Sequence, residues 1–451
     1  MIKKNNEYDV DIVDINQDGQ GVGKIGSYTV FVSNVVVGER VKIKIIKQKK
    51  TYGYGKLVEI IEPSEDRVLP KCVVGDRCGG CTLLHVDYKA QLLYKKKLVK
   101  ESLKRIGKLD FLVNDVIGMD NPLYYRNKAQ FPVREIDQET KIGFYANNSH
   151  NVVLCDDCKI QNPKINEIKK IAEKFIKDSG IRGYNDETKK GDIRHILVRV
   201  GNKTNLAMVV LVLNKDRLEN IDVLVDMLRS KVKGLASVIV NINNKNTNVI
   251  LGSESRLVWG KDYIEDYIGD LKFKISAKSF YQVNTRQTEV LYNKVLEYAD
   301  LKGNETVFDL YCGIGTITLT MSKKSKFVYG VEVVEDAIKN AKENARINNI
   351  KNVKFVEGKA EDIIPVMYEE GIKADIVVVD PPRKGLDKEL ICTLIKMKPK
   401  KIVYVSCNPS TLARDLKILG EDGFIVKEVQ PVDMFPMSMH VETVCLLSKL
   451  R

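Results

Sequence analysis

From about residue 285 the chain alternates helical and strand periodicity, and this rhythm limits the possible folds more than any other feature. A helix over 285–299 precedes a strand at 306–309. A helix starting near Ile314 is followed by a strand at 327–331, a helix at 335–347 and a strand at 353–356. A strand at 375–380, a helix at 387–396, a strand at 401–406 and a helix at 409–419 follow. Strands separated by helices must cross over and run parallel, so the pattern predicts a doubly wound α/β sheet. Such sheets bind ligands outside the carboxyl ends of their strands. The stretch 424–450 reads as two more strands, antiparallel at the sheet edge.

The preceding residues follow other rules. Short strands with glycine-rich turns at 8–61 predict a small barrel, with Asp18–Gly23 as a turn and Pro63 ending the pattern. Residues 63–90 hold cysteines and turns, and 89–106 read as a helix. Residues 122–270 mix strand pairs (190–213, 236–252) with helices (164–178, 215–230). At roughly 150 residues per domain, 451 residues fit three domains, placed at 1–62, 63–278 and 279–451. The helix near 89–106 is expected to pack on the last of these.

No apolar run approaches the roughly 18–20 residues of a membrane helix, and no secretory pattern follows Lys3 and Lys4. The expected location is the cytoplasm, without a membrane partner and acting as a monomer. Nine cysteines are too few for a disulfide scaffold, so clusters among them point to metal or catalysis. The net charge is +13, and residues 1–110 hold 21 Lys/Arg against 14 Asp/Glu. The runs Val41–Lys50 and Tyr94–Lys97 are either solvated faces or phosphate-contacting surfaces. Tyr52 and Tyr54 suit strands and also suit stacking on bases.

Where the first strand of the doubly wound region meets its helix, the sequence is Phe308-Asp309-Leu310-Tyr311-Cys312-Gly313-Ile314-Gly315. Asp309 at the strand end and spaced glycines, Gly313 among them, let a nucleoside lie close to the backbone. Glu332, 23 residues on, suits ribose hydroxyls, and Asp362 in Ala360-Glu361-Asp362 is placed for adenine. The glycine turn is shorter than the dinucleotide pattern, which favours S-adenosylmethionine over NAD. The fourth strand ends Asp380-Pro381-Pro382-Arg383, and Arg383 stands where enzymes that methylate base amino groups place an aromatic residue.

The fifth strand ends Ser406-Cys407-Asn408-Pro409. Cys407 reads as a nucleophile facing the same crevice, its pKa lowered by the following helix. A thiolate beside S-adenosylmethionine can add to carbon 6 of uracil and make carbon 5 nucleophilic. The carbon 5 proton must then leave, which requires a base. Glu442 in the last strand region is available, although its spacing alone fits an ordinary surface carboxylate.

Together these residues make the sequence similar to the RNA uracil-C5 methyltransferases, above all the bacterial 23S rRNA members. Phe280-Tyr281-Gln282-Val283-Asn284, Asp309–Gly315, Asp380–Arg383, Ser406–Pro409 and His440–Val444 resemble family motifs in family order across nearly the whole chain. The resemblance implies a Rossmann-like S-adenosylmethionine-dependent domain with Cys407 as nucleophile and Glu442 as base. It implies Gln282, Tyr311, Glu332 and Asp380 as cofactor-binding positions, with Asp362. It gives the amino-terminal strands as a TRAM domain, an OB-like RNA-binding barrel, and makes Phe280, Arg126 and Lys128 RNA-facing. The implied reaction forms 5-methyluridine in 23S rRNA; the alternatives are the tRNA T-loop uridine and a catalytically inactive RNA-binding metalloprotein.

Cys72, Cys78 and Cys81 have C-x5-C-x2-C spacing, and Cys155 and Cys158 follow. Two C-x2-C pairs fit zinc, whereas three cysteines plus one distant partner fit a [4Fe-4S] cluster. The resemblance favours the cluster, in a central α+β domain, with Cys158 of Cys158-Lys159-Ile160-Gln161 as fourth ligand. Cys155 departs from the family pattern.

Overall fold

A computed structural model describes residues 2–147 and 149–449. The first five strands are β1 (Glu7–Ile15), β2 (Gly21–Ile25), β3 (Tyr28–Val32), β4 (Arg40–Gln48) and β5 (Tyr52–Glu62). They close into a barrel in the order β1-β2-β3-β5-β4, with β4 returning to pair with β1. Alternation sets the two faces: β4 buries Val41, Ile43 and Ile45 and leaves Lys44 exposed. The stretch expected to be a turn at Asp18–Gly23 is only partly one, because Gly21 and Gly23 lie in β2. A Cβ would stand 2.3 Å from Val35 Cγ2 at Gly21 and 2.2 Å from Val10 Cγ1 at Gly23, so these glycines admit neighbouring core side chains.

Helix α1 (Tyr88–Ser102) runs on into a short π-helical turn, Leu103–Gly107. Next come β6 (Lys128–Ile136), β7 (Glu139–Ile142), the short pair β8 (Phe144–Tyr145) and β9 (Val152–Val153), and α2 (Pro163–Asp178). The Asn162 side chain caps α2 and Pro163 begins it. β10 (Ile193–Val200), β11 (Ala207–Leu213), α3 (Ile221–Lys231), β12 (Leu235–Ile242) and β13 (Glu254–Gly260) complete a six-stranded sheet ordered β13-β12-β11-β10-β6-β7. Residues 190–213 form the expected antiparallel pair. In the second region only β12 falls within 236–252, since a loop delays its partner β13 to residue 254.

A hairpin, β14 (Tyr263–Ile268) and β15 (Leu271–Ser276), leads into α4 (Thr285–Ala299). The alternating region is β16 (Thr306–Leu310), α5 (Thr316–Ser322), β17 (Phe327–Glu332), α6 (Glu335–Ile347), β18 (Val353–Glu357), α7 (Ala360–Glu369), β19 (Ile376–Val379), α8 (Lys388–Met397), β20 (Lys401–Ser406), α9 (Pro409–Glu421), β21 (Phe424–Val432) and β22 (Glu442–Lys449). Its seven strands are ordered β18-β17-β16-β19-β20-β22-β21, with β22 antiparallel to both neighbours. The last strand in sequence is therefore internal, and β21 forms the edge.

Apolar cores cover both faces of this sheet. One includes Leu291 and Val295 of α4; the other includes Leu390 of α8 and Leu412 and Leu416 of α9. Val99 and Leu103, in and just after α1, belong to the second core. Among the described residues no helix is long and apolar enough to cross a membrane.

Candidate active site

The carboxyl ends of β16, β17, β19 and β20 open onto a cavity of about 770 Å³. Tyr311 and Gly313 line it from the β16–α5 turn, Glu332 from the end of β17, Asp380 from beyond β19, Cys407 from beyond β20 and Glu442 from the start of β22. Phe280 and Gln282 enter from the segment before α4, and Arg126 from the segment before β6. The Rossmann-like topology thus gathers residues spread over more than 300 positions.

The β16–α5 turn is tight. Tyr311 has φ +69° and Gly315 has φ +84°, a conformation costly for residues with a Cβ. Glu332 accepts the Gly313 N–H at 3.1 Å and the Val334 N–H at 2.9 Å. Asp309 is fully buried and accepts from Thr318 Oγ1 at 2.5 Å, so it holds the turn from below. Burial, with Asp380 nearby, pushes its pKa up to about 7. Its other carboxylate oxygen has no hydrogen-bond partner.

Asn408 caps α9, accepting the Ser410 N–H at 3.0 Å, and Pro409 starts the helix. The same Asn408 side chain donates to the Arg383 carbonyl at 3.1 Å, as does Thr411 Oγ1 at 3.2 Å. The Asp380–Arg383 loop and the Cys407 loop are therefore tied together. The expectation that the helix terminus lowers the Cys407 pKa is not met. Burial, followed by the charges of Glu442 and Asp380, pushes the thiol up to about 11, and only Arg383 opposes this among nearby side chains. Glu442 is buried, and it and Asp380 both sit above the ordinary carboxylate range. Burial is the main cause for each, and the charge of Asp380 adds to it for Glu442.

S-adenosylmethionine fits this cavity. Its carboxylates suit the ribose hydroxyls and the cationic end of the molecule, and Ile314, Ile317 and Val333 supply apolar wall. Asp362 is exposed in the first turn of α7 and does not line the cavity.

Residues to which the sequence assigned no individual role are gathered here too. His440, Phe435, Tyr292 and Thr316 line the cavity. Asn127 donates to the Gln282 carbonyl at 2.9 Å and to Thr285 Oγ1 at 3.1 Å, pinning the segment before α4. Fully buried Lys95 of α1 pairs with buried Asp433, which also accepts from Tyr88 Oη at 2.8 Å. Lys95 donates as well to the Phe435 carbonyl at 3.0 Å. Gln91 accepts the Met437 N–H at 3.0 Å, and Tyr125 donates to the Pro436 carbonyl at 3.1 Å. These bonds hold the 433–441 segment that brings Phe435 and His440 to the cavity.

A second cavity, about 300 Å³, is lined by all five of Cys72, Cys78, Cys81, Cys155 and Cys158. Lys128 lines this cavity instead of the reaction cavity; burial and the neighbouring Arg199 and Arg126 push its pKa down to about 7. Contact with Cys155, then burial, raises the Cys72 pKa, and burial with neighbouring thiols pushes Cys81 up to about 12. Among the described residues no three Cys, His, Asp or Glu side chains converge on a single point as metal ligands. The five thiols line one cavity without meeting at a common point. Arg126 lines this cavity, the reaction cavity and a third beside the barrel.

A model of the tRNA (uracil-5-)-methyltransferase family matches residues 87–450, and one of the TRAM domain matches residues 3–58. An uncharacterized RNA methyltransferase of Clostridium acetobutylicum is 51% identical over 100% of this chain and 98% of its own length. Another, from Halalkalibacterium halodurans, is 47% identical over 99% of this chain and 98% of its own. A crystal structure of the Pyrococcus abyssi tRNA (uracil-54, C5)-methyltransferase in complex with S-adenosyl-L-homocysteine superposes with a TM-score of 0.80. The two are 28% identical, and the match covers 98% of this chain and 100% of that one.

Proposed function

The chain belongs to the tRNA (uracil-5-)-methyltransferase family and carries a TRAM domain, and from that premise we propose that it forms 5-methyluridine in 23S rRNA through a covalent adduct on Cys407. One observation carries the reading: the thiol of Cys407 and the carboxyls of Glu442 and Asp380 face a single cavity. S-adenosylmethionine supplies the methyl group as an electrophilic sulfonium substituent. Gln282, Tyr311, Gly313, Glu332 and Asp380 would hold it, with Asp309 supporting the turn from beneath.

Cys407 adds as thiolate to carbon 6 of the uracil, forming an S–C6 bond and moving electron density to carbon 5. Carbon 5 takes the methyl group, whose bond to the sulfonium sulfur breaks and leaves a neutral thioether. Glu442 then takes the carbon 5 proton, and the returning electrons break the S–C6 bond and release Cys407. A buried carboxylate with raised proton affinity is a stronger base than an exposed one. Phe280 is 71% exposed at the cavity mouth, where it could stack on RNA.

The TRAM barrel together with the cysteine set supports rRNA. The Pyrococcus abyssi structure keeps the tRNA T-loop uridine as a second reading. The 300 Å³ cavity is proposed to hold a [4Fe-4S] cluster on Cys72, Cys78, Cys81 and Cys158, with a structural role, since methyl transfer needs no redox step.

RNA containing 5-fluorouridine tests the chemistry, because fluorine cannot leave as the proton does. With S-adenosylmethionine the protein should form an adduct that survives denaturing electrophoresis, and Cys407→Ala should form none. An adduct in that variant would overturn the mechanism.

A further inference from the structure

Beside the reaction cavity lies a cleft of about 860 Å³ between the barrel and the 433–441 segment. The two spaces share Arg126, Phe435 and His440. The barrel side of the cleft is aromatic for a reason set by strand alternation. In β3, Val30 and Val32 point into the barrel, so Phe31 points out. In β5, Gly53 and Gly55 are buried, so Tyr52 and Tyr54 point out. Parallel pairing of β3 with β5 sets Phe31 beside Tyr54. Phe31 and Tyr54 line the cleft and Tyr52 packs against both, each of the three ring centroids lying 5.8 Å from the other two, and the rings are half-buried.

Charge accompanies the rings. Lys47 Nζ lies 5.9 Å from the Tyr54 centroid, and Lys49 and Lys50 are exposed where β4 turns into β5. Stacking rings beside cations, on a groove continuous with a reaction site, suit unpaired nucleic acid. A strand that delivers one base to Cys407 must continue past Arg126 and His440, and the cleft is the space that opens there.

We infer that this cleft binds an unpaired nucleotide adjacent to the target uridine, its base stacked on Tyr54 and its phosphate near Lys47 and Arg126. The inference rests on the uridine reading above and adds a second base site to it. It makes the barrel part of the substrate pocket, in addition to any wider attraction for RNA.

The test uses the full chain and a fluorescein-labelled oligoadenylate of about nine nucleotides with one central uridine, followed by anisotropy. Each flanking base is removed in turn to leave an abasic site. One flanking position should weaken binding roughly tenfold, and Tyr54→Ala should weaken the intact oligonucleotide by a similar factor. Both changes together should be no worse than either alone, while Tyr54→Phe retains the affinity. Losses that multiply at every position, or Tyr54→Ala binding like the unaltered protein, would overturn the inference. Methyl transfer into the intact oligonucleotide is scored separately: coupling without transfer overturns the uridine reading and leaves the cleft assignment standing.

Discussion

Cys407 faces two carboxyls and one guanidinium. Burial pushes its pKa up, and the two carboxyls add more than the guanidinium removes, so the resting thiol holds its proton at neutral pH. The thiolate fraction grows tenfold per pH unit below the pKa. Adduct formation on 5-fluorouridine RNA should therefore accelerate from about pH 6 to about pH 9. Glu442→Gln removes one of the charges that raise the thiol, so its profile should shift to lower pH. On ordinary uridine RNA the same variant should accumulate adduct while release of 5-methyluridine falls about 100-fold or more, as gel shift and nucleoside analysis would show. A profile that stays in place would mean that Glu442 does not act on the thiol. Cys407 stood out because it sits in a short motif at a strand end, whereas Glu442 was singled out by the resemblance alone; the structure brings both to one cavity. Arg383 stood in view beside Asp380, but its influence on Cys407 depends on Asn408 and Thr411 fixing its loop, a contact across two strands. Asp362 was placed by pattern, since an acid after the third strand suits adenine; the structure puts it in solvent in the first turn of α7, outside the cavity lining.

At the scale of elements, the 433–441 segment depends on a helix some 340 residues earlier in the chain. Lys95 and Asp433 are both fully buried and paired, and removing one partner of such a pair typically costs about 3–5 kcal/mol. Lys95→Met should lose roughly that much in urea denaturation and should raise KM for RNA through Phe435 and His440. Adding Asp433→Asn should recover part of the stability, because the buried charge is then gone. Loss without recovery would show that the lysine acts by packing alone. The run Tyr94–Lys97 read as a charged surface, and composition could not show that its second residue is buried. Most helices and strands of the doubly wound region were legible because their periods are long and regular. β2 was not, since its glycines serve packing and resemble a turn in sequence. β13 was displaced because a loop of polar residues intervenes, and periodicity cannot measure where pairing resumes.

For the molecule as a whole, the barrel, the six-stranded sheet and the seven-stranded sheet meet around Arg126. Strand order was beyond the sequence, since insertion of β22 between β20 and β21 is decided by tertiary pairing. The gathering of five thiols was half legible: spacing found the cysteines but could not say which of Cys155 and Cys158 completes the set. Protein purified without oxygen should carry about four iron and four sulfide per chain. Cys158→Ser should lose them and Cys155→Ser should keep most; the reverse result would exchange the two assignments, and a single zinc would remove the cluster. Loss of 5-methyluridine from 23S rRNA in a deletion strain, with tRNA unchanged, would establish the substrate, and the opposite pattern would select tRNA.

The internal position of β22 has a consequence for synthesis. Chains fold from the amino terminus as they emerge from the ribosome. The barrel can close early, yet the strand that opens with Glu442 must be threaded between two strands made before it. Until residues 442–449 have emerged, β20 and β21 lack the partner between them and the cavity beside Cys407 lacks the buried carboxyl of Glu442. In a nascent chain the barrel can thus close well before the cavity around Cys407 gains all of its walls, so the two parts are completed at different stages of synthesis.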